Sequence, residues 1–192
     1  MAKLYFRYGS MGASKSTNCI MVAYNYKERG QNVVIFKSAV DTRSHTGFIE
    51  SRTGMKWPCV DFTADYRFSI ESVKASAGMD RISCILIDEA QFLTEEQVLQ
   101  LSDIVDYAGI PVICYGLRTD FRCEFFPGSS ALMRYADELE EIPTICWCGR
   151  KARLIARIAG GKMVKTGTQI QIGGNESYIS LCRRHWKEEK LG

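Results

Sequence analysis

Four apolar-rich runs divide the first 115 residues of the chain. They cover Leu4 to Tyr8, Asn32 to Lys37, Ile82 to Ile87 and Ile110 to Tyr115. Each contains few polar residues, as expected for strands that are buried on both faces. Between them lie stretches with helical patterning, Lys15 to Arg29, Phe68 to Ala77 and Thr94 to Ala108. This alternation predicts an α/β fold with a parallel sheet covered by helices.

Polar and glycine residues mark where these elements begin and end. Thr94 is suited to cap a helix, and Glu95 and Glu96 suit the positive end of its dipole. Gly30 and Gly109 follow predicted helices. Residues 41–66 lack a clear period and indicate a long loop with room for a short strand.

The pattern changes near Pro143, where Cys, Gly and basic residues become frequent. We place a boundary there, with one domain over 1–143 and a small one over 144–192. Short β-like pieces are expected in the second domain at Gln169 to Ile172 and Tyr178 to Leu181.

Composition narrows the functional classes only slightly. A net charge of +3 neither requires nor excludes a polyanionic partner. We find no secretory signal and no apolar run long enough for a membrane span. Five of the eight cysteines are scattered, which favours a reducing, cytoplasmic environment over a disulfide scaffold.

The segment "YGSMGASKST", from Tyr8 to Thr17, lies between a predicted strand and a predicted helix. It resembles a P-loop, but Ser14 occupies the position of the second glycine. Backbone N–H groups and the helix dipole would attract phosphate there. Lys15 would then neutralise phosphate and Ser16 would ligate Mg²⁺. On this segment alone, a plain Gly/Ser turn is an equally good interpretation.

A strand that ends in two acids favours the phosphate-binding interpretation. In "CILIDEAQF", Asp88 and Glu89 follow an apolar run, so their carboxylates should face the same crevice as the loop. Asp88 would hold Mg²⁺ or its water shell, which leaves Glu89 for proton transfer. The alternative is an exposed acidic pair at the start of a loop.

Four residues near the end of the chain have the chemistry of a structural zinc site. Cys146, Cys148, Cys182 and His185 make a closed set of three thiolates and one imidazole. The alternative is that the cysteines are small apolar fillers and that His185 is solvated.

Several further residues follow predicted strands and are weaker candidates. Arg43, in "DTR", is placed to reach a transferring phosphate. Phe92, Leu117 and Phe121 are placed to line a pocket the size of a nucleobase, although aromatic residues there more often belong to the core.

Taken together, these segments resemble the type II thymidine kinases. The matching pieces also include "LIDEAQFL", "PVICYGLRTDFR", "TICWCGRKA", "IGGNESY" and "LCRRHWKE", in family order from Tyr8 to Glu188. The resemblance implies a RecA-like P-loop core and a zinc-held domain with a lasso loop. It also implies transfer of the ATP γ-phosphate to thymidine or deoxyuridine, inhibition by thymidine triphosphate, and a homotetramer.

The resemblance also assigns roles to individual residues. Glu89 falls on the family's catalytic base. The phosphate loop comprises Gly9, Ser10, Met11, Gly12, Ala13, Ser14, Lys15, Ser16 and Thr17, with Arg43 reaching the phosphates. The nucleoside positions are Phe92, Leu117, Phe121 and Tyr178, with the lasso backbone at Ile170, Gln171, Ile172, Gly173 and Gly174.

Two other hypotheses compete with an active kinase. A positive φ at Ser14 would cost about 1–2 kcal/mol, so a variant that binds nucleoside without turnover is the first alternative. The second is a nucleic-acid-binding zinc module, based on the basic residues Arg150, Lys151, Arg153, Arg183 and Arg184. We expect the latter charges to form a solvated face and do not expect nucleic acid as a partner.

Overall fold

The computed structural model describes residues 1–43, 45–171 and 177–192. In chain order its strands are β1 (Leu4–Tyr8), β2 (Val33–Ser38), β3 (Phe48–Glu50), β4 (Lys56–Pro58), β5 (Val60–Phe62), β6 (Cys84–Asp88), β7 (Val112–Gly116), β8 (Glu138–Glu141), β9 (Thr144–Ile145), β10 (Lys151–Ala152), β11 (Leu154–Ala159), β12 (Lys162–Val164) and β13 (Tyr178–Leu181). Its helices are α1 (Lys15–Glu28), α2 (Ile70–Ala77), α3 (Glu95–Ala108), α4 (Pro127–Tyr135) and α5 (Arg183–Lys187).

The main sheet has the order β5-β2-β6-β7-β1-β8 in the described part of the chain, and every pairing in it is parallel. Successive side chains of β2 lie on opposite faces of the sheet. Val34 and Phe36 pack into a core shared with α2, α3 and α4, whereas Val33 and Ile35 pack against α1 and the β3–β4 hairpin. Both faces are therefore covered, as the apolar strands predicted.

The predicted element ends are confirmed closely. The Thr94 hydroxyl accepts a hydrogen bond from the Gln97 backbone N–H, and the Thr94 backbone N–H donates one to the Gln97 side-chain oxygen, which completes a capping box at the start of α3. Gly109 ends α3 in the left-handed conformation. The second predicted helix begins two residues later than expected, because Ser69 is its N-cap.

Some elements differ from the prediction. Helix α4 was missed, because "PGSS" at its start has the composition of a turn, although proline is well suited to the first helical position. Residues 41–66 contain three short strands, β3, β4 and β5. Residues 169–171 of the expected β-like piece form no strand, and Ile172 lies outside the described residues.

The chain after Pro143 builds a smaller assembly. Strands β9 and β10 form a hairpin, and β11 pairs in an antiparallel manner with β12 and with β13. Ser180 on β13 donates a hydrogen bond of 2.6 Å to the carbonyl of Met11, which joins this assembly to the loop after β1. None of the helices in the described ranges is long and apolar enough to cross a membrane.

Candidate active site

The loop from Gly9 to Ser14 connects β1 to α1 at the carboxyl edge of the sheet. Gly9 is required for close packing, since a Cβ there would lie 2.6 Å from the Ile142 carbonyl oxygen. Ser14 has φ of 56°, in the left-handed region, and its residue is exposed. The loop therefore keeps the conformation that glycine would favour, at an expected cost of about 1–2 kcal/mol.

Lys15 begins α1 and is folded back onto the loop. Its Nζ donates to the carbonyl of Ser10 at 2.9 Å, and it is nearly fully buried. Burial lowers the pKa of Lys15 to about 8, because an ammonium group loses its hydration there. The buried cation sits at a helix N-terminus, where phosphate is favoured.

Asp88 at the end of β6 meets Ser16 in the first turn of α1, although β6 is not adjacent to β1, the strand that precedes α1. β7 lies between β1 and β6 in the sheet. The Ser16 hydroxyl nevertheless donates 2.9 Å to Asp88 Oδ2. Burial, followed by the nearby Glu89 charge, raises the pKa of Asp88 to about 7.

This pair is chemically suited to Mg²⁺. Asp88 Oδ1 is buried and has no hydrogen-bond partner among the described residues. An unpaired buried oxygen beside a hydroxyl is the donor chemistry that a hard divalent cation uses. Asp88 and Ser16 therefore fit the ion.

Glu89 follows directly after β6 and has φ of 53°, an uncommon conformation for a residue with a side chain. Arg43 donates to Glu89 Oε1, and the Gln91 amide donates 2.5 Å to Oε2. Arg43 is also held by Asp41, with Nε 2.6 Å from Oδ1. The negative charge of Glu89 raises the pKa of Arg43. Both carboxylate oxygens are thus oriented by side chains from separate elements.

A cavity of about 600 Å³ joins these groups to an aromatic region. Its lining includes these predicted positions: Met11, Gly12, Ala13, Ser14, Lys15, Ser16, Thr17, Arg43, Asp88, Glu89, Phe92, Leu117, Phe121, Ile170, Gln171 and Tyr178. Gly9 and Ser10 belong to the same loop but do not line the cavity. The predicted positions Ile172, Gly173 and Gly174 lie outside the described residues.

The aromatic region is built from the chain that follows β6 and β7 and from Tyr178 on β13. The Phe92 ring packs edge-on against Phe126 with a centroid separation of 5.8 Å. Tyr178 Oη donates 2.7 Å to the carbonyl of Gln171. Phe121 is buried, and the Arg157 guanidinium lies over its ring. The region has the flat apolar surfaces that a nucleobase requires.

Sequence reasoning missed several residues of this cavity. Arg52, in the turn between β3 and β4, lies near the loop, since a Cβ on Gly12 would be 3.7 Å from its guanidinium. It is close enough to Lys15 for its charge to lower the pKa of that residue. Gln91 is buried and joins Glu89 to the Leu117 backbone N–H, at 3.0 Å. Gln91 lies within the quoted "DEAQF" segment but was given no role from the sequence, and nothing local indicated Arg52.

The four predicted zinc ligands converge in the structure. All of their ligand atoms lie within 4.8 Å of one another. Cys148 Sγ and Cys182 Sγ are 4.0 Å apart, and Cys146 Sγ is 3.4 Å from His185 Nδ1. Atoms bonded to one tetrahedral zinc are expected about 3.3–3.8 Å apart. These two separations lie within or slightly beyond this range, and three thiols with one imidazole are a donor set that could hold zinc.

The surroundings of this cluster are partly ordered by stacking. The Trp147 ring lies parallel to the His185 imidazole with centroids 4.2 Å apart.

The basic residues near the cluster are partly neutralised by acidic partners, since Lys151 pairs with Glu141 at 2.5 Å and Arg184 pairs with Glu188 at 2.8 Å. These pairs weaken the hypothesis of a nucleic-acid surface.

The parallel sheet, the loop after β1 and the strand-end acids define a P-loop nucleotide-binding protein of the α/β class. A sequence model of the thymidine kinase family matches residues 2–186. The chain belongs to the thymidine kinase family.

Curated relatives agree over nearly the whole chain. A thymidine kinase of Mannheimia succiniciproducens is 50% identical, with 98% of this chain and 97% of the relative covered. One of Haemophilus influenzae is 47% identical, with 98% of both chains covered. One of Rhizobium meliloti is 50% identical, with 98% of this chain and 97% of the relative covered.

Proposed function

We propose that this chain transfers the γ-phosphate of ATP to the 5′-hydroxyl of thymidine, giving dTMP, and that it accepts deoxyuridine as well. Family membership supports the reaction. The observation that carries the assignment of residues is that one cavity holds Lys15, Asp88 and Glu89 together with Phe92 and Phe121. A phosphate donor and a nucleoside acceptor would therefore meet beside the same carboxylate.

Glu89 is the proposed general base. As the nucleoside oxygen forms its bond to the γ-phosphorus, the bond from phosphorus to the leaving oxygen of ADP breaks. The hydroxyl proton passes to Glu89, whose oxygens are oriented by Arg43 and Gln91. A positioned carboxylate contributes about 10²–10⁴-fold to such a step.

Binding of the ATP phosphates is assigned to the loop after β1 and to three nearby basic side chains. Backbone N–H groups of Gly9 to Thr17 would hold the phosphates, with Lys15, Arg43 and Arg52 opposing their charge. Asp88 and Ser16 would hold Mg²⁺, which neutralises charge between the β- and γ-phosphates.

The nucleoside end is assigned to Phe92, Leu117, Phe121 and Tyr178, with lasso backbone groups at 170–174 on the base edge. Zinc held by Cys146, Cys148, Cys182 and His185 would keep the C-terminal assembly folded. Ser180 and Tyr178, both on β13, would then stay in place against the phosphate loop and the cavity.

The test is phosphorylation of thymidine by the purified protein with Mg-ATP, beside Glu89→Gln and Glu28→Gln. Glu28 is an exposed carboxylate at the end of α1 and serves as the matched control. We expect kcat to fall about 10²–10⁴-fold in Glu89→Gln only. No turnover of thymidine or deoxyuridine by the unmodified protein would refute the proposal.

The hypothesis of a catalytically inactive variant is not supported. Ser14 adopts the left-handed backbone conformation that the loop requires, and its residue is exposed. The catalytic and metal-binding candidates Glu89, Asp88, Lys15 and Ser16 all face the cavity.

Four other properties are also proposed. The change of composition near Pro143 supports a domain boundary there, and the scattered cysteines support a cytoplasmic location. A homotetramer and inhibition by thymidine triphosphate rest on the family resemblance. Sedimentation analysis of the purified protein and its inhibition by thymidine triphosphate test the tetramer and the feedback separately.

A further inference from the structure

Arg157, on β11, is a buried cation whose partners all belong to the nucleoside end of the cavity. Its residue is 5% exposed. A guanidinium that loses its water must be compensated by hydrogen bonds or by a π face. The identity of those compensating groups shows which parts of the molecule Arg157 holds together.

Two of the partners are main-chain oxygens of residues 165–171, which follow β12 and form the described start of the lasso. One terminal nitrogen donates 2.9 Å to the carbonyl of Thr168, and the other donates 3.3 Å to the carbonyl of Gln169. The planar fork of arginine suits two adjacent acceptors, which a lysine ammonium would not match. Arg157 therefore fixes the backbone where the lasso enters the cavity.

The third and fourth partners are the aromatic walls. Arg157 Nε donates 3.1 Å to Tyr178 Oη, which itself donates to Gln171. The guanidinium carbon lies 3.7 Å from the centre of the Phe121 ring, a separation typical of stacking. Phe121 belongs to the loop after β7, so this contact joins the C-terminal assembly to the main sheet.

Gln169 makes further contacts between the described start of the lasso and the loop after β7. The Gln169 amide donates 3.2 Å to Asp120 Oδ2 and 3.2 Å to the Phe125 carbonyl. Arg157 and Gln169 thus attach the described start of the lasso to the loop that carries Phe121.

We propose that Arg157 is a positioning residue for nucleoside binding, which holds the described start of the lasso, Tyr178 and Phe121 in one arrangement. This inference rests on the proposed function, and it names Arg157 as a residue that determines the affinity for the nucleoside. Binding a nucleoside to a preorganised wall avoids the cost of ordering it. Loss of Arg157 should weaken nucleoside binding and spare the phosphate end.

The test compares Arg157→Met, Arg157→Lys and the control Arg153→Met. Methionine keeps much of the apolar stem, and Arg153 is an exposed arginine just before β11. We expect Arg157→Met to raise the KM for thymidine at least tenfold and the KM for ATP less than twofold. Arg157→Lys should lie between, because it keeps the charge but not the fork. Arg153→Met should match the unmodified protein.

Zinc content and thermal unfolding separate positioning from a general loss of structure. One zinc per chain and cooperative unfolding in Arg157→Met, together with the selective KM change, would support the proposal. A thymidine KM within twofold of the unmodified protein would overturn it. Equal rises in both KM values, or loss of zinc, would overturn it in favour of a purely structural role. If the unmodified protein does not phosphorylate thymidine, the proposed function itself fails.

Discussion

The guanidinium of Arg43 donates to the carboxylate of Glu89, and the same guanidinium donates hydrogen bonds to both carboxylate oxygens of Asp41. Arg43 comes from the segment after β2 and Glu89 from the end of β6, so this contact joins two adjacent strands of the sheet at their carboxyl ends. It places a permanent cation beside the proposed base, next to the loop where phosphate would bind.

Replacing Arg43 by glutamine should lower kcat about 10²–10³-fold, the usual effect of removing a preorganised charge-stabilising donor. The KM for thymidine should change less than threefold, because Arg43 lies outside the aromatic region. Steady-state kinetics on Arg43→Gln test this, with Arg29→Gln, an exposed arginine at the end of α1, as the control. A loss seen only in the thymidine KM would contradict the role.

Replacing Ser14 by glycine should stabilise the fold. The left-handed φ of 56° disfavours any residue with a Cβ, and the entropy of glycine offsets part of that gain. We expect a net gain of about 1 kcal/mol, or about 2–4 °C in Tm. Calorimetry on Ser14→Gly measures it.

The control is Ser14→Ala, which keeps the Cβ and loses only the hydroxyl. It should show no gain in Tm. An equal gain in both variants would mean that the hydroxyl, and not the backbone conformation, is responsible.

Cys182→Ser should abolish binding of one zinc per chain and loosen the assembly that β11 and β13 form. Because Ser180 on β13 holds the Met11 carbonyl, KM for both ATP and thymidine should rise. Elemental analysis and kinetics check this, with the exposed Cys123→Ser, outside the cluster, as the control. Zinc retained at full stoichiometry in Cys182→Ser would exclude the site.

Because of Asp88, we expect the free energy of unfolding of the metal-free protein to depend on pH in an unusual way. Its pKa rises to about 7 on folding, from about 4 in an unfolded chain, because it is buried. The native state therefore binds the extra proton between these values, and this residue's contribution to the free energy of unfolding falls as pH rises.

Asp88→Asn removes that contribution while keeping an acceptor for Ser16. In EDTA, the Tm advantage of Asp88→Asn over the unmodified protein should be small near pH 4 and should grow through pH 7. Thermal melts across this range test it, and a difference that does not vary with pH would contradict it. Activity should be lost in the same variant if Asp88 holds Mg²⁺.

Much of this protein was determined locally by its sequence. The loop from Gly9 to Ser16, the acids at the end of β6 and the spacing of Cys146, Cys148, Cys182 and His185 were recognisable because each depends on neighbouring residues or on a fixed ligand chemistry. Strand and helix periods follow from burial on one or both faces, so the main elements were predicted as well.

Only the tertiary structure decided which distant residues meet. It placed β7 between β1 and β6, brought the turn with Arg52 to the loop, and gathered Phe121, Thr168 and Tyr178 around Arg157. It also made a helix of "PGSS" and the residues that follow it. Such contacts arise from packing between elements far apart in the chain. Because the hydrophobic effect is non-directional, the local sequence does not specify which elements pack together.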